Sequence, residues 1–204
     1  MAERPPYHHG DLRNALLAAA LDLLEEDGLD KLSLRRVAAR VGVSHAAPAH
    51  HFPTMRALLT ALATIGFTRF DAAMRAAREA ATPDPMAQLR AAERGYLAYA
   101  EANPALFRLM FTTTLLDWGD PDLVAAGDAG YAQLVEICAP AAEHLGIDHA
   151  DGRAALEQLV WSQAHGRAHL AIEHKLPPSA ATPAVDLTGL LFGPRPTRPQ
   201  RPST

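Results

Sequence analysis

Cysteine occurs once in this chain of 204 residues, at Cys138, so no internal disulfide can form. Cys138 stands mid-helix between Ile137 and Pro140, and a buried packing thiol is the expectation, with a redox sensor as the other reading. No apolar run approaches the roughly 20 residues needed to cross a bilayer; the stretch from Ala57 to Thr68 is far too short. No apolar run precedes Leu16, so a signal peptide is not expected, and the expected compartment is the cytoplasm, with no membrane partner. Polar–apolar alternation bounded by turn residues is missing as well, which argues against strands. The chain contains no Gly-x-Ser-x-Gly elbow, no phosphate-binding glycine loop and no zinc-protease motif. Neither enzymatic activity nor a cofactor is therefore expected.

Acidic side chains are absent from the forty residues Lys31 to Phe70. The same stretch holds six basic ones, Lys31, Arg35, Arg36, Arg40, Arg56 and Arg69, with His45, His50 and His51 as further donors. The chain has a net charge of −4, so this +6 segment leaves −10 for the rest. In an acidic protein, so local a positive region argues for a polyanionic partner. Apolar residues at 49% and charged residues at 21% suit a soluble globular protein. The length allows one large domain or two small ones.

The chain reads as helices throughout. A first helix is expected over about Asp11 to Asp27, with Leu12, Leu16, Ala19 and Leu23 on one face and Gly28 just past its end. Ser33 can cap a short second helix with Leu34, Val37, Ala38 and Val41 on one face, ended by Gly42. Ser44 can cap a third helix through His51, which Phe52-Pro53 breaks. Thr54 then caps a long fourth helix to about Ala81, and Thr82-Pro83-Asp84-Pro85 forms a joint. Further helices are expected at Pro85–Ala102, Pro104 to about Leu115, Pro121–His144 and Asp151–Lys175, with Pro140 kinking or ending the third of these. A loop over 177–183 and a short apolar segment over 185–192 follow. The Pro/Arg-rich tail 193–204 is expected to be disordered.

Leu34–Val41, the Gly42-Val43 turn and Ser44–His51 match a helix–turn–helix in length and order. Short amphipathic helix pairs with a glycine turn also occur in ordinary all-α proteins. The residues go further than the pattern. Tyr7-His8-His9-Gly10-Asp11-Leu12-Arg13, Leu32-Ser33-Leu34-Arg35-Arg36-Val37-Ala38, Gly42-Val43-Ser44-His45-Ala46-Ala47-Pro48 and His51-Phe52-Pro53 closely resemble the TetR family of transcriptional regulators. Asn103-Pro104-Ala105-Leu106-Phe107-Arg108-Leu109-Met110-Phe111 is similar to a body segment of that family. Trp161-Ser162-Gln163-Ala164-His165-Gly166 is similar to the Trp/His-Gly signature of one C-terminal subgroup.

The resemblance implies an all-α homodimer. A three-helix, helix–turn–helix head (8–70, the motif at about 33–52) would be joined by a long helix to a helical ligand-binding and dimerisation domain (83–192). It implies a repressor that binds a pseudo-palindromic double-stranded operator and is released by a small-molecule effector. Ser33, Arg35, Arg36, Ser44 and Arg56 would position the head on phosphates, while His45, Ala46, Ala47, His50 and His51 would lie at or near the bases. Two positions depart from the family pattern: Ala49 replaces a usual tyrosine and Met55 a usual lysine, both backbone contacts. On these rests an alternative, a helical ligand- or metal-sensing dimer with weakened DNA binding.

In the body, Phe107, Phe111, Trp118 and Trp161 are candidates to line a ligand cavity, with Arg108 and His165 as its polar members. Each is equally at home in an ordinary core. His165, His169 and Glu173 recur every four residues, a spacing that suits a divalent metal on one helical face, or simply a helix facing a polar interface. No metal is expected. Gly166 is the expected point of close approach between protomers.

Overall fold

The computed structural model describes residues 9–176. The loop expected at 177–183, the apolar segment at 185–192 and the tail from 193 lie outside the described residues. Seven α-helices make up this part: α1 (His9–Asp27), α2 (Leu34–Val41), α3 (Met55–Glu79), α4 (Pro85–Ala102), α5 (Pro104–Met110), α6 (Pro121–His144) and α7 (Ala150–Ile172). Among the described residues there is no strand.

Short polar side chains set most of the helix starts. The Ser33 hydroxyl accepts from the Arg36 N–H, and that of Thr54 from the Ala57 N–H. Asp84 and Asp120 each accept two first-turn N–H groups, with a proline next in line. His149 caps α7 through Nδ1, which accepts from the Gly152 N–H at 2.9 Å. Each cap satisfies donors that have no partner inside the helix. Gly42 closes α2 at a φ of 78°, a left-handed position that favours glycine.

Four expectations need correction. The first helix begins at His9, two residues before Asp11. The second body helix stops at Met110, and Thr113–Leu115 form a separate 3₁₀ turn. There the Thr112 hydroxyl turns back to the Arg108 carbonyl, competing with the helical ladder. The third body helix does not end at Pro140 but runs on to His144; Ile137, Cys138, Ala141 and Ala142 are all buried around that position, so packing holds the helix across the missing donor. Finally, Ser44–His51 is not an α-helix. Ser44 makes no cap, and Ala47–His50 form a 3₁₀ turn held by bonds such as His51 N–H to Pro48 C=O at 3.0 Å. Pro48 has no N–H to give the Ser44 carbonyl. That carbonyl takes the Ala47 N–H instead, and the turn tightens.

One apolar cluster runs from the head into the body. It joins Leu16, Ala19, Ala20, Leu24, Val37 and Phe52 to Leu58 and Leu62, then continues to Phe70, Tyr99, Phe107 and Met110. A second cluster around Leu89, Ile137, Cys138 and Leu156 closes the far end. Burial pushes the Cys138 thiol up to about 12, so it is a packing group and not a thiolate. By length and composition α3 could cross a membrane, but half of its most apolar window is packed inside the protein. Gly95 lets α4 sit directly on α3: a Cβ there would lie 2.9 Å from the Ala77 Cβ and 3.0 Å from the Ala73 carbonyl. The amide of buried Gln133 on α6, oriented to suit its partners, spans the Asp71 carbonyl and the Arg75 N–H of α3. These are the two groups that pair across one helical turn, so α6 is tied to the backbone of α3 itself.

Candidate nucleic-acid interface and ligand cavity

α1 and α3 carry α2 and the 3₁₀ turn on one end of the molecule. Val37 and Ala38 are buried beneath α2, and Pro48 and Phe52 anchor the turn. That anchoring leaves Ser44, His45, Ala46, Ala49 and His50 exposed and Ala47 and His51 half-buried. The segment expected to meet bases is thus the outward one. Arg35 is also exposed and has no ion-pair partner among the described residues.

The other arginines are engaged. Arg36 donates to Asp27 at 2.5 Å and to the Lys31 carbonyl at 2.9 Å. Arg40 holds both oxygens of Glu26, at 2.5 and 3.2 Å, which keeps the Glu26 carboxyl below its usual range. The acid-free stretch therefore overstates the free charge of this face, because α1 supplies two carboxylates from just upstream. Such exposed pairs contribute little, so either arginine can exchange its carboxylate for a phosphate. Ser33 accepts the Arg36 N–H as the α2 cap, which leaves its O–H free to donate to a phosphate. Met55 is half-buried against the core, so a lysine there would forfeit packing and put a cation at a helix N-terminus.

Arg56 points away from the exposed turn. Its Nε donates to the Leu116 carbonyl at 3.2 Å, and Nη2 reaches the Thr114 carbonyl at 3.4 Å. One turn along α3, the hydroxyl of buried Thr60 accepts from the Asp117 N–H at 3.0 Å. Glu25 of α1 accepts from the Ala105 and Leu106 N–H groups at the start of α5, at 3.1 and 2.8 Å. Head and body are joined by charge-assisted bonds to backbone at residues 105–117. None of these contacts follows from local sequence.

The body encloses a cavity of about 420 Å³ between α3, α4, α6, α7 and the α5–α6 connection. Phe111, Trp118 and Trp161 line it, together with Phe67, Tyr96 and Tyr131. Phe107 does not: it is fully buried behind the wall. Arg108 also stands outside, paired with Glu173 at 2.8 Å and with the Ile172 carbonyl. His165 packs on Phe111, and its Nδ1 is hydrogen-bonded to the Tyr96 hydroxyl at 2.8 Å. Burial raises the Tyr96 phenol well above its usual range, so it stays protonated. Burial, aided by His169, lowers His165 and keeps it neutral near pH 7. Glu173 belongs to Arg108, and among the described residues no three His, Cys, Asp or Glu side chains are grouped to hold a metal. The cavity's carboxylates, Glu93 and Asp128, carry no mark in the sequence that sets them apart from other helical acids.

An all-helical protein with a helix–turn head, tied to a helical body that encloses one apolar cavity, is the class that fold and site define. Residues 16–62 match the model described as bacterial regulatory proteins, tetR family. Residues 89–188 match the model described as tetracyclin repressor-like, C-terminal domain. The tetracycline repressor protein class A from transposon 1721 of Escherichia coli is 52% identical over 50 residues, 24% of this chain and 23% of that protein. The match thus spans under a quarter of that relative's length. A solved protein of unknown function from Rhodococcus sp. RHA1 is 36% identical, with 93% of this chain and 95% of that one covered and a TM-score of 0.75. The TetR-like regulator LfrR from Mycobacterium smegmatis, solved in complex with proflavine, shares the fold at 23% identity and a TM-score of 0.61, over 89% of this chain and 95% of that one. The chain belongs to the TetR family of transcriptional regulators.

Proposed function

We propose that this chain is a homodimeric repressor without enzymatic turnover. It acts in the cytoplasm and binds a pseudo-palindromic operator until a small-molecule effector enters the body. Two copies of the 44–51 turn would enter successive major grooves about one helical turn of DNA apart. Arg35 would anchor each head on phosphate, with Arg36 and Arg40 exchanging their carboxylates for phosphates on contact. The observation that carries the reading is the connection at 111–120. It lines the cavity through Phe111, Thr113 and Trp118, and it binds the head through the Thr114 and Leu116 carbonyls and the Asp117 N–H. An occupant that displaces Trp118 therefore acts directly on the partners of Arg56 and Thr60. Effector binding and DNA binding would be coupled reciprocally, typically by about 1–3 kcal/mol.

A salt titration tests the DNA arm. The log of the binding constant should fall linearly with log salt, with a slope near −0.9 per phosphate contact. Arg35→Ala should remove about two contacts per dimer from that slope. It should weaken binding to operator and unrelated duplex alike, by roughly tenfold or more, since each contact contributes on the order of 1 kcal/mol. Binding that ignores salt contradicts the reading. It would favour the second one, a helical ligand sensor with weak DNA affinity, which has support in the internal pairing of Arg36, Arg40 and Arg56.

A further inference from the structure

We infer that the cavity selects an aromatic monocation, an inference that rests on the effector-binding reading of this same site. The walls are apolar and rich in rings, among them Phe67, Phe111, Trp118, Tyr131 and Trp161. Among the described residues, the charged side chains that line it are Glu93 and Asp128; no described lysine, arginine or histidine does. Glu93 is partly balanced from behind. Its Oε1 accepts from Arg167 at 2.6 Å and from Gln163 at 2.9 Å, while Oε2 takes no bond from any described residue. The Glu93 side chain is 11% exposed and lines the cavity, so its carboxylate is largely shielded from bulk water. Asp128 stands at the mouth, beside Tyr131 and Val124, with no ion-pair or hydrogen-bond partner among the described residues. Counting Arg167, two carboxylates face one guanidinium among the described residues, which leaves one negative charge without a described counter-charge. A ligand with a single positive charge completes the set. An anion would lie against the shielded Glu93 carboxylate, with the exposed Asp128 at the mouth adding repulsion, and an unpaired charge is costly away from water. His165 is not among the lining residues, and burial and His169 hold its imidazole below the usual range, so it brings no cationic charge to the cavity.

The rings complete the specification. Indole and phenol faces carry negative quadrupole density and attract a desolvated cation, most strongly for tryptophan. Trp118 and Trp161 are 41% and 44% exposed, and Tyr131 is 54% exposed, so the mouth is made of large half-open rings on which a flat aromatic can stack. The volume lies within the range of sites for drug-sized ligands.

Three acridines of one shape and different charge provide the test: cationic 9-aminoacridine, neutral acridine and anionic acridine-9-carboxylate, near neutral pH. The chain has two tryptophans, and both line the cavity, so intrinsic emission reports occupancy directly. The cation should bind tightest and the anion weakest, with about tenfold or more between them, as for about one net charge contact at 1.4 kcal/mol per decade. Asp128→Asn removes no hydrogen bond or ion pair among the described residues and should cut the cation's advantage about three- to tenfold, changing the affinity for neutral acridine far less. Equal affinities, a preference for the anion, or no binding by any of the three overturns the inference. Operator release, read in the same titrations, separates it from the regulator reading. Tight cation binding without release upholds the charge preference and contradicts effector control. Release by the anion alone does the reverse.

Discussion

Arg56→Met should leave ligand affinity within about twofold and abolish most of the ligand's effect on operator affinity. A coupling of about 1–3 kcal/mol corresponds to a 5- to 150-fold change in operator affinity. In the variant that change should shrink to about threefold or less, by the same arithmetic. The Arg56 guanidinium is the long-range link between the first turn of α3 and the connection that carries Trp118, through the Leu116 and Thr114 carbonyls. Methionine keeps the aliphatic stem and deletes only the donors, so the fold is not the variable. Thr60→Val, which deletes the acceptor for the Asp117 N–H, should reduce the coupling in the same direction. The measurement is operator affinity with and without saturating ligand, on wild type and variants. The sequence pattern assigns Arg56 to phosphate instead, and that role makes the opposite forecast. Unliganded affinity would fall, the salt slope would become shallower, and the ligand's fold-effect would survive. That pattern would transfer Arg56 from the transmission to the DNA contacts.

Gly166→Leu should convert the proposed dimer to monomer and lower operator affinity by about 100-fold or more, because one head then binds without the effective concentration supplied by its twin. α7 turns an exposed or half-exposed face outward at Gln158, Ser162, Gly166 and Leu170, positions four apart. A Cβ on Gly166 would meet nothing within 4 Å among the described residues of its own chain. Any loss of assembly in the variant therefore comes from between chains and not from within one. Leucine is the better helix former by about 0.8 kcal/mol or more, so the isolated protomer should unfold no earlier than wild type. Light scattering gives the assembly state, polarisation on the operator gives the affinity, and thermal unfolding is the control. A variant that remains a full-affinity dimer would place the interface elsewhere.

Much of this architecture is legible in the sequence because it is local. Ser33 and Thr54 cap the helices their positions suggest, Gly42 takes the left-handed conformation, and the starts at Pro85, Pro104 and Pro121 fall where proline suits a first turn. The 3₁₀ turn at Ala47–His50 is within reach of the same reasoning, since Pro48 has no N–H to give Ser44, but the helix–turn–helix pattern masks it. The charge of the head is misleading for a different reason. Asp27 and Glu26 lie outside the acid-free stretch, and only the packing of α1 on α2 brings them to Arg36 and Arg40. Contacts across longer separations carry no signal at all: Glu25 to the start of α5, Arg56 to Leu116, Gln133 to the backbone of α3. In the cavity, tryptophan and phenylalanine stand out by size. Glu93 gives no such sign, because whether a helical carboxylate faces water or a cavity depends on which neighbour covers it.

Selection of binding sites from a random duplex library is the most direct measurement of what the head does. A two-fold dimer reading successive major grooves should enrich an inverted repeat whose half-site centres lie about one helical turn apart, on the order of 10 base pairs. Saturating ligand should abolish the enrichment. A pool that returns no repeat, or is unchanged by any ligand that quenches Trp118 and Trp161, would contradict a ligand-responsive operator-binding dimer.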